Sequence, residues 1–373
     1  MNLTFIPQSH SRLLTGILLP LISGSFISCA TAQTGAYQQT DIISNVLHDA
    51  ERTQRSISVP WGLAISPGLG FEIVNNGTGT FAAYDVLGNP TVLFALVAGP
   101  PQLESNPAPP ATAANPTGAF FTERGIGALP SPFLFATLDG TISGQYADTN
   151  GNILETTLLA VDHSAQGAVY TGLAILTPNC CAPFLAVANF KDASIETYTG
   201  LFDPLGIPEA FIDKSLPAGY APFNVQVVGG QVFVTYALQN AAKNAPVVGA
   251  GNGIVDIYEH DGSFVKRFIS HGQLNAPWGA AKASAEFGPF SNDILIANFG
   301  DGTINAFNPV TGNFVGKIKN AAGTALGNPG LRGIVFGASG VGDPNTLYFT
   351  SGETGKPSFF GSITATDAKA AAE

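Results

Sequence analysis

Apolar and polar positions alternate along most of this chain, in short runs that turns separate. The segment 294–307 is typical, because a β-rich run is followed by a turn at Asp301-Gly302 and then by a second alternating run. Alternation with a period of two on both sides of an Asp-Gly turn predicts a β-hairpin, since these residues tolerate the positive φ angles of a tight turn. A lead-in strand before the hairpin and another strand at 313–319 complete a unit of four short strands.

This unit recurs six times at a nearly constant period. Each copy begins with a residue pair that precedes an apolar run, and the steps between successive pairs are 56, 54, 52, 55 and 54 residues. The six pairs are Trp61-Gly62, Thr117-Gly118, Thr171-Gly172, Phe223-Asn224, Trp278-Gly279 and Arg332-Gly333. A fixed period of this size is the signature of a repeat array. The sequence therefore predicts an all-β fold, a six-bladed β-propeller of four-stranded blades.

The two ends of the chain are predicted to close the ring. The sixth unit has three strands, the last near 359–364, and no fourth strand follows them. Residues 37–43 have the pattern of a strand without a blade, so we expect this N-terminal strand to pair with the last blade and remove an exposed sheet edge. Residues 33–367 then form a single propeller domain, followed by a short C-terminal tail at 368–373.

The composition agrees with a turn-rich β protein. The 373 residues include 44 Gly, 26 Pro and one Met, and only 11% of them are charged. The formal net charge of −11 leaves no basic stripe to neutralise phosphates, so nucleic acid is not expected as a partner. We expect the partner to be a small molecule, an extracellular protein or a glycan, and the chain to be a monomer.

Residues 1–32 have the pattern of a signal peptide. An apolar stretch at 13–22 is followed by Ala-Thr-Ala at 30–32, the small-x-small pattern that precedes a cleavage site. The stretch is too short, and too interrupted by Gly and Pro, for a membrane span. We predict cleavage after Ala32, export to the periplasm or the exterior, and no transmembrane segment in the mature chain. Attachment as a lipoprotein through Cys29 is the weaker alternative, because the preceding residues make a poor lipobox.

Cys180 and Cys181 are adjacent and would be the only thiols left after signal removal. An oxidising compartment favours disulfides, but a bond between neighbouring residues closes a strained eight-membered ring. Three states therefore remain open: two free thiols, pairing with another chain, and a vicinal Cys180–Cys181 disulfide.

Candidate ligand-binding residues follow from propeller geometry. The inner strand of each blade starts at the face where the second strand turns into the third, so the lead-in pairs and the hairpins meet at one rim of the central channel. The predicted ligand-binding residues there are Trp61, Asn75, Asp139, Asn189, Asn224, Trp278, Asn298, Asp301 and Arg332. A concave site with a few convergent polar groups suits a small molecule. Arg332 is the strongest single candidate, because other blades have an aromatic or small residue at its position.

The same positions also have structural explanations. Asn75, Asn189 and Asn298 recur at one place in three blades, where Asn can hydrogen-bond nearby backbone. Trp61 and Trp278 can plug the channel or wedge between blades. No G-x-S-x-G, H-E-x-x-H or Walker motif is present, so no catalytic residue is assigned.

Several phrases resemble an uncharacterised family of exported bacterial β-propellers. They are PWGLA at 60–64, NNGTG at 75–79, ATLDGTISG at 136–144, LPAGYAPFN at 216–224 and NFGDGTIN at 298–305. The similarity covers most of residues 37–364 and extends more distantly to NHL-repeat and gluconolactonase-like propellers. The resemblance implies a six-bladed ring outside the cytoplasm and no established reaction.

Two classes of function follow. The preferred one is a non-catalytic ligand- or protein-binding module that uses the rim of the channel, with no cofactor. The alternative, implied by the gluconolactonase-like resemblance, is a metal-dependent hydrolase or lactonase in which rim side chains hold a divalent cation such as calcium that polarises the substrate carbonyl. The acids near the rim, Asp139, Asp301 and Glu353, lie in predicted turns, and no metal ligand is assigned among them. A quinone-cofactor dehydrogenase ranks last, because the chain lacks an eight-unit length and a tryptophan-rich blade motif.

Overall fold

The alternating runs of the sequence are β-strands arranged in six sheets around one axis. The computed structural model describes residues 36–102, 106–122, 129–145, 155–338 and 340–366. The predicted signal peptide, Cys29 and the predicted tail at 368–373 lie outside these ranges. Within the described ranges, no helix has the length and apolar character needed to cross a membrane.

The strands are short and follow one another through tight turns. In chain order they are β1 (Ala36–Ser44), β2 (Arg52–Thr53), β3 (Pro60–Ser66), β4 (Gly70–Asn75), β5 (Thr80–Tyr84), β6 (Pro90–Leu96), β7 (Ala111–Ala114), β8 (Phe133–Ala136), β9 (Thr141–Gly144), β10 (Leu158–Asp162), β11 (Tyr170–Leu176) and β12 (Phe184–Asn189). They continue as β13 (Ser194–Tyr198), β14 (Tyr220–Val228), β15 (Gln231–Leu238), β16 (Ile254–Tyr258), β17 (Phe264–Ser270), β18 (Pro277–Lys282), β19 (Ile294–Asn298), β20 (Ile304–Phe307), β21 (Phe314–Lys317), β22 (Leu331–Phe336), β23 (Leu347–Gly352) and β24 (Ser358–Thr366). Two 3-10 turns, Ser164–Gln166 and Gly288–Phe290, lie between strands.

The predicted six-bladed β-propeller is confirmed. Blades 1, 2, 4 and 5 are four-stranded antiparallel sheets built from β3–β6, β7–β10, β14–β17 and β18–β21. Blade 6 contains β22–β24 and gains its fourth strand from β1, which pairs antiparallel with β24 through Tyr37 opposite Ala365 and Gln39 opposite Ile363. The two-residue β2 pairs in parallel with the outer edge of β1. The ring therefore closes through the N-terminal strand, as the sequence predicts. Blade 3 is the exception, since its sheet contains only β11, β12 and β13 among the described residues.

The inner strand of blade 2 differs from the prediction. The periodicity predicts the lead-in at Thr117-Gly118, whereas the inner strand is β7, in which Ala111 pairs with Ala136. Thr117 lies in the loop after it, where its hydroxyl donates to Asn115 Oδ1 at 2.7 Å. The prediction is wrong because the loops around blade 2 differ in length, and a Thr-Gly pair in one of them imitated the expected spacing.

The six inner strands contact one another in a closed cycle around the axis. The lead-in glycines permit this contact. A Cβ on Gly279 would overlap the carbonyl oxygen of Arg332, and a Cβ on Gly333 would lie 2.9 Å from the carbonyl oxygen of Trp61. Blade 4 has Asn224 at this position, and its side-chain amide donates to the carbonyl of Trp278 at 3.1 Å. The Gly or Asn of every predicted pair except Thr117-Gly118 is therefore a contact between neighbouring inner strands.

Apolar side chains fill the space between neighbouring sheets. Phe71 of blade 1 lies 4.2 Å from Tyr348 of blade 6, measured between ring centroids, and Phe81 lies 4.7 Å from Phe135 of blade 2. Aromatic pairs at these distances contribute stability beyond the area that they bury.

One carboxyl group is buried between the first two blades. Glu72 on β4 is only 1% exposed and accepts a hydrogen bond of 2.5 Å from the hydroxyl of Thr112 on β7. Burial raises the pKa of Glu72 well above its ordinary value, and the bond from Thr112 opposes the shift only in part.

Gly279→Ala tests the contact between inner strands. The added methyl group would push the Arg332 backbone away, so we expect the free energy of unfolding to fall by about 1–3 kcal/mol, the usual cost of overpacking. Urea unfolding measures the change. Gly327→Ala is the matched control, because no atom lies within 4 Å of its added Cβ and the variant should keep wild-type stability.

Glu72→Gln tests the buried carboxyl group. A carboxyl whose folded pKa is raised stabilises the fold below its unfolded pKa, and that contribution is lost as the pH rises toward the folded pKa. Gln keeps an acceptor for Thr112 but does not titrate. The stability of the variant relative to wild type should therefore increase from pH 5 to pH 8, by up to about 1.4 kcal/mol per pH unit. Parallel pH profiles for both proteins would contradict the assignment.

Candidate functional site

Side chains fill the centre of the ring. Each inner strand directs one residue toward the axis, and these six residues are all buried: Trp61, Ala111, Thr171, Phe223, Trp278 and Arg332. The ring of Trp61 lies 6.4 Å from both Phe223 and Trp278, and Trp278 Nε1 donates to the carbonyl of Thr171 at 2.9 Å. Trp61 and Trp278 therefore form an axial plug. This is the structural alternative that the sequence predicts for the two residues.

Arg332 is the charged member of this plug. Its guanidinium carbon lies 4.0 Å from the ring centroid of Trp61 and 4.6 Å from that of Phe299. Nη1 donates to the carbonyls of Gly330 at 3.0 Å and Gly352 at 2.8 Å. Burial lowers the pKa of Arg332 to about 9, and the charge of Glu353 opposes that shift. The side chain thus spans two aromatic faces and two backbone carbonyls inside the plug.

The three repeated asparagines anchor the start of the inner strands of blades 1, 3 and 5. They occupy equivalent pairing positions, opposite Pro60, Tyr170 and Pro277. In each case Oδ1 accepts a backbone N–H from the segment that enters the strand: Asn75 from Ser58 at 3.3 Å, Asn189 from Val169 at 3.4 Å, and Asn298 from Asn275 at 3.1 Å. All three side chains are buried.

The two predicted rim aspartates are held separately. Asp139 accepts the backbone N–H of Ala108 at 2.8 Å. Asp301 accepts the backbone N–H and the hydroxyl of Thr303 in its own turn, and it lies 3.9 Å from Lys317 Nζ. Of the predicted site residues, the fold brings Trp61, Trp278 and Arg332 toward one another at the axis. Across the described part of the chain, no three His, Cys, Asp or Glu side chains are grouped closely enough to hold a metal ion.

Blade 3 is where the repeat breaks. Its third strand, β13, is followed by only an isolated bridge between Tyr198 and Pro204, in place of a fourth strand. The chain then crosses to blade 4 through residues 204–213, here called the strap, where the Phe211 N–H donates to the Gly262 carbonyl at 2.8 Å. Glu209 and Phe211 have φ angles of 60° and 57°, a left-handed conformation that non-glycine residues rarely adopt. Backbone strain of this kind concentrates at functional sites.

An open cavity of about 670 Å³ lies on one side of the strap. The loop between β11 and β12 forms one wall, and in it Cys180 and Cys181 are joined by a disulfide bond. Apolar groups dominate the surface around the disulfide, with carboxylates beside them. The lining includes Pro178, Cys180, Cys181, Pro183, Leu205, Ile207, Pro208, Glu209 and Asp261.

The polar side of this cavity is acidic. Asp261 accepts the backbone N–H of Ser263 at 2.9 Å, and this bond lowers the pKa of Asp261 and keeps it ionised. An adjoining cavity of about 510 Å³ shares Cys180 and Asp261 and adds Glu259 and His260. The sequence pattern indicates the cysteine pair but not this cavity, because the strap that forms the opposite wall has no repeated pattern.

Comparisons with known proteins place the chain in a family. No family model matches the sequence. The chain is 32% identical over 316 residues to the uncharacterized protein R648 of Acanthamoeba polyphaga mimivirus, a match that covers 83% of this chain and 75% of R648. The chain belongs to the R648 family. The uncharacterized protein R640 of the same virus is also 32% identical, over 73% of this chain and 50% of R640, so the chain spans about half of that relative. These relatives of the R648 family are viral, and the bacterial origin expected from the resemblance is not supported.

Solved structures share the fold. The apo form of the soluble aldose sugar dehydrogenase from Escherichia coli aligns with a TM-score of 0.52 at 12% identity, covering 88% of this chain and 99% of that one. A streptogramin B lyase structure aligns with a TM-score of 0.50 at 10% identity, covering 90% and 100%. At such low identity the likeness of this R648-family chain to both enzymes extends to the fold alone.

Arg332→Met tests the role of the buried guanidinium group. Met fills similar space but donates no hydrogen bonds, so two buried carbonyls lose a partner and the stacking on Trp61 is lost. We expect the free energy of unfolding to fall by roughly 2–4 kcal/mol. Arg332→Lys should be intermediate, because Lys keeps the charge but not the planar fork. The exposed Arg52→Lys is the control. Wild-type stability of Arg332→Met would contradict a structural role and return Arg332 to the list of ligand-binding candidates.

Proposed function

We propose that this propeller is an exported, non-catalytic binding module whose ligand occupies the cavity beside the Cys180–Cys181 disulfide. The observation that carries the proposal is the cavity of about 670 Å³ on the blade that departs from the repeat. Small-molecule sites typically have volumes of about 300–1,000 Å³ and apolar walls with a few placed polar groups. The rim residues predicted from the sequence are largely occupied by internal contacts, so we assign the ligand to blade 3.

The chemistry of the cavity favours a sugar unit as the ligand. The disulfide, Pro178, Leu205 and Ile207 offer an apolar surface against which the C–H face of a sugar ring can pack. Glu209 and Asp261 lie beside that surface, and carboxylates accept hydrogen bonds from hydroxyl groups. A free monosaccharide or the terminal sugar of a glycan would pack on the apolar surface and donate hydrogen bonds to the two carboxylates.

Export is part of the same proposal. Disulfide bonds form and persist mainly in oxidising compartments, and the structure has one in the wall of the candidate site. The signal-peptide pattern that predicts cleavage after Ala32 agrees with this compartment. We propose that the mature chain acts in the periplasm or outside the cell, on a glycan or a small carbohydrate.

The hydrolase alternative needs rim carboxylates that converge on one cation. Asp139 and Asp301 are instead bonded within or beside their own hairpins. Calcium at the rim and hydrolysis of a lactone stay predictions that these contacts do not favour.

A carbohydrate array followed by calorimetry tests the proposal. We expect the mature chain to bind a subset of mono- and oligosaccharides without converting them. Leu205→Asp places a charge on the apolar wall at a residue that is 40% exposed, so the fold should survive while affinity falls at least tenfold. Val310→Asp is the matched control on blade 5, 75% exposed, and should bind as wild type does.

Three outcomes would contradict parts of the proposal. Unchanged affinity in Leu205→Asp would exclude this cavity as the site. Absence of binding to the array would exclude the carbohydrate class. Conversion of a bound sugar or a lactone by the mature chain would exclude a non-catalytic role.

A further inference from the structure

A second, smaller cavity lies on the other side of the strap. Its volume is about 270 Å³, and it shares the strap residues Gly206, Ile207 and Ala210 with the disulfide cavity. The rest of its lining is different and includes His163, Glu196 and Phe211. Two of these side chains can titrate, and neither contributes to the function proposed above.

A network of hydrogen bonds fixes the carboxylate of Glu196 at this cavity. Oε2 accepts the hydroxyl of Tyr170 at 2.7 Å and that of Tyr198 at 2.5 Å. Oε1 accepts the side-chain amide of Asn189 at 2.7 Å. Both tyrosines are buried, and desolvation raises the pKa of each phenol, so they act as neutral donors. A carboxylate has about four lone-pair positions, so one acceptor position of Glu196 is left for a ligand.

The hydrogen bonds around Glu196 fix which ring nitrogen of His163 carries the proton. Each phenol has a single proton, and both protons are donated to Glu196. His163 Nδ1 lies 2.7 Å from the Tyr170 oxygen, so Nδ1 must carry the proton that it donates there. In the neutral imidazole Nε2 then carries a lone pair. The His163 and Glu196 side chains are 34% and 26% exposed, so two acceptors are available at the edge of the cavity.

The described residues of blade 3 include no fourth strand, and this leaves the carboxylate partly exposed. The position of Glu196, opposite Val187, corresponds to Asp256 in blade 4, opposite Val234. Asp256 is fully buried because β17 covers it, and Arg267 on β17 pairs with it at 3.3 Å. Blade 3 has a strap and a cavity where blade 4 has β17. A carboxylate that is internal in one blade is therefore accessible in the other.

The charges around the cavity favour a cation. Glu196 and Asp192 are acidic, and Asn189 Nδ2 donates to both of them. Lys191 is the nearby base, and its Nζ lies 3.3 Å from the position of a Cβ on Gly167. Glu196, Asp192 and Lys191 together carry a net charge of −1. Apolar walls at Ile195, Ile207 and Phe211 complete the cavity.

We propose that this cavity binds a small organic amine, with its ammonium group donating to Glu196 and to His163 Nε2 and its hydrocarbon body packed on the apolar wall. A primary ammonium has three donors and no acceptor, which matches a site that offers acceptors. The small volume limits the ligand to a single ring or a short branched chain.

Calorimetry with the mature chain and three probes of similar shape tests the proposal. Phenethylamine should bind, and 2-phenylethanol and phenylacetate should bind at least tenfold more weakly. Glu196→Gln keeps the shape and an acceptor but removes the charge, so the affinity for phenethylamine should fall at least tenfold. His163→Asn should also weaken binding, through loss of the Nε2 acceptor. Glu209→Gln is the matched control, since this exposed carboxylate lines the other cavity.

Any one of three other results would overturn the proposal. Equal affinity for the amine and the alcohol, preference for phenylacetate, or unchanged amine binding by Glu196→Gln would exclude an ammonium site here. Thermal melts confirm that the variants fold. Leu205→Asp should leave amine binding unchanged. The amine proposal and the carbohydrate proposal can therefore be refuted independently of each other.

Discussion

Contact between the backbones of neighbouring inner strands is the constraint on which the rest of this propeller depends. Where a strand has Gly62, Gly279 or Gly333, the next strand lies too close for a Cβ. Because successive side chains on a strand point to opposite faces, the residue before each glycine is directed to the axis. These residues fill the centre together with those that hold the same position in the other three inner strands, Ala111, Thr171 and Phe223. The large aromatic groups with one arginine make the plug tight. A ring closed in this way has little room on its axis, so open cavities lie farther out.

Much of the architecture could be predicted because repetition amplifies weak local signals. Blade number, strand content and closure by residues 37–43 all follow from features that occur several times or at both ends of the chain. The inner strand of blade 2 was misplaced at Thr117, because a loop dipeptide can imitate a lead-in when spacing is the only criterion. The sequence singles out the rim residues, and Asn75 and Arg332 do lie at structurally constrained positions. A single sequence does not distinguish a residue that the fold requires from one that binds a ligand.

The cavities of blade 3 could not be predicted in the same way. They depend on the lack of a fourth strand among the described residues of blade 3 and on the path of the strap at 204–213, and no periodic pattern marks either feature. The polar residues that line the smaller cavity come from separate parts of the chain, with His163 at the end of blade 2 and Glu196 on β13. Only the vicinal cysteines gave a local signal, and their position on a cavity wall required the fold.

Losing the outermost strand of a blade destabilises a propeller less than losing any other strand. An inner strand contacts both neighbouring blades and the axis, so its removal would break the cycle of contacts that closes the ring. A fourth strand pairs on one side only, and its loss uncovers one edge of one sheet. In blade 4 that strand holds Arg267 against Asp256, which makes the carboxylate part of the core. In blade 3 the equivalent Glu196 keeps its tyrosine and asparagine partners but faces a cavity. The same position can therefore be part of the core in one blade and face a cavity in its neighbour, without any change to the ring.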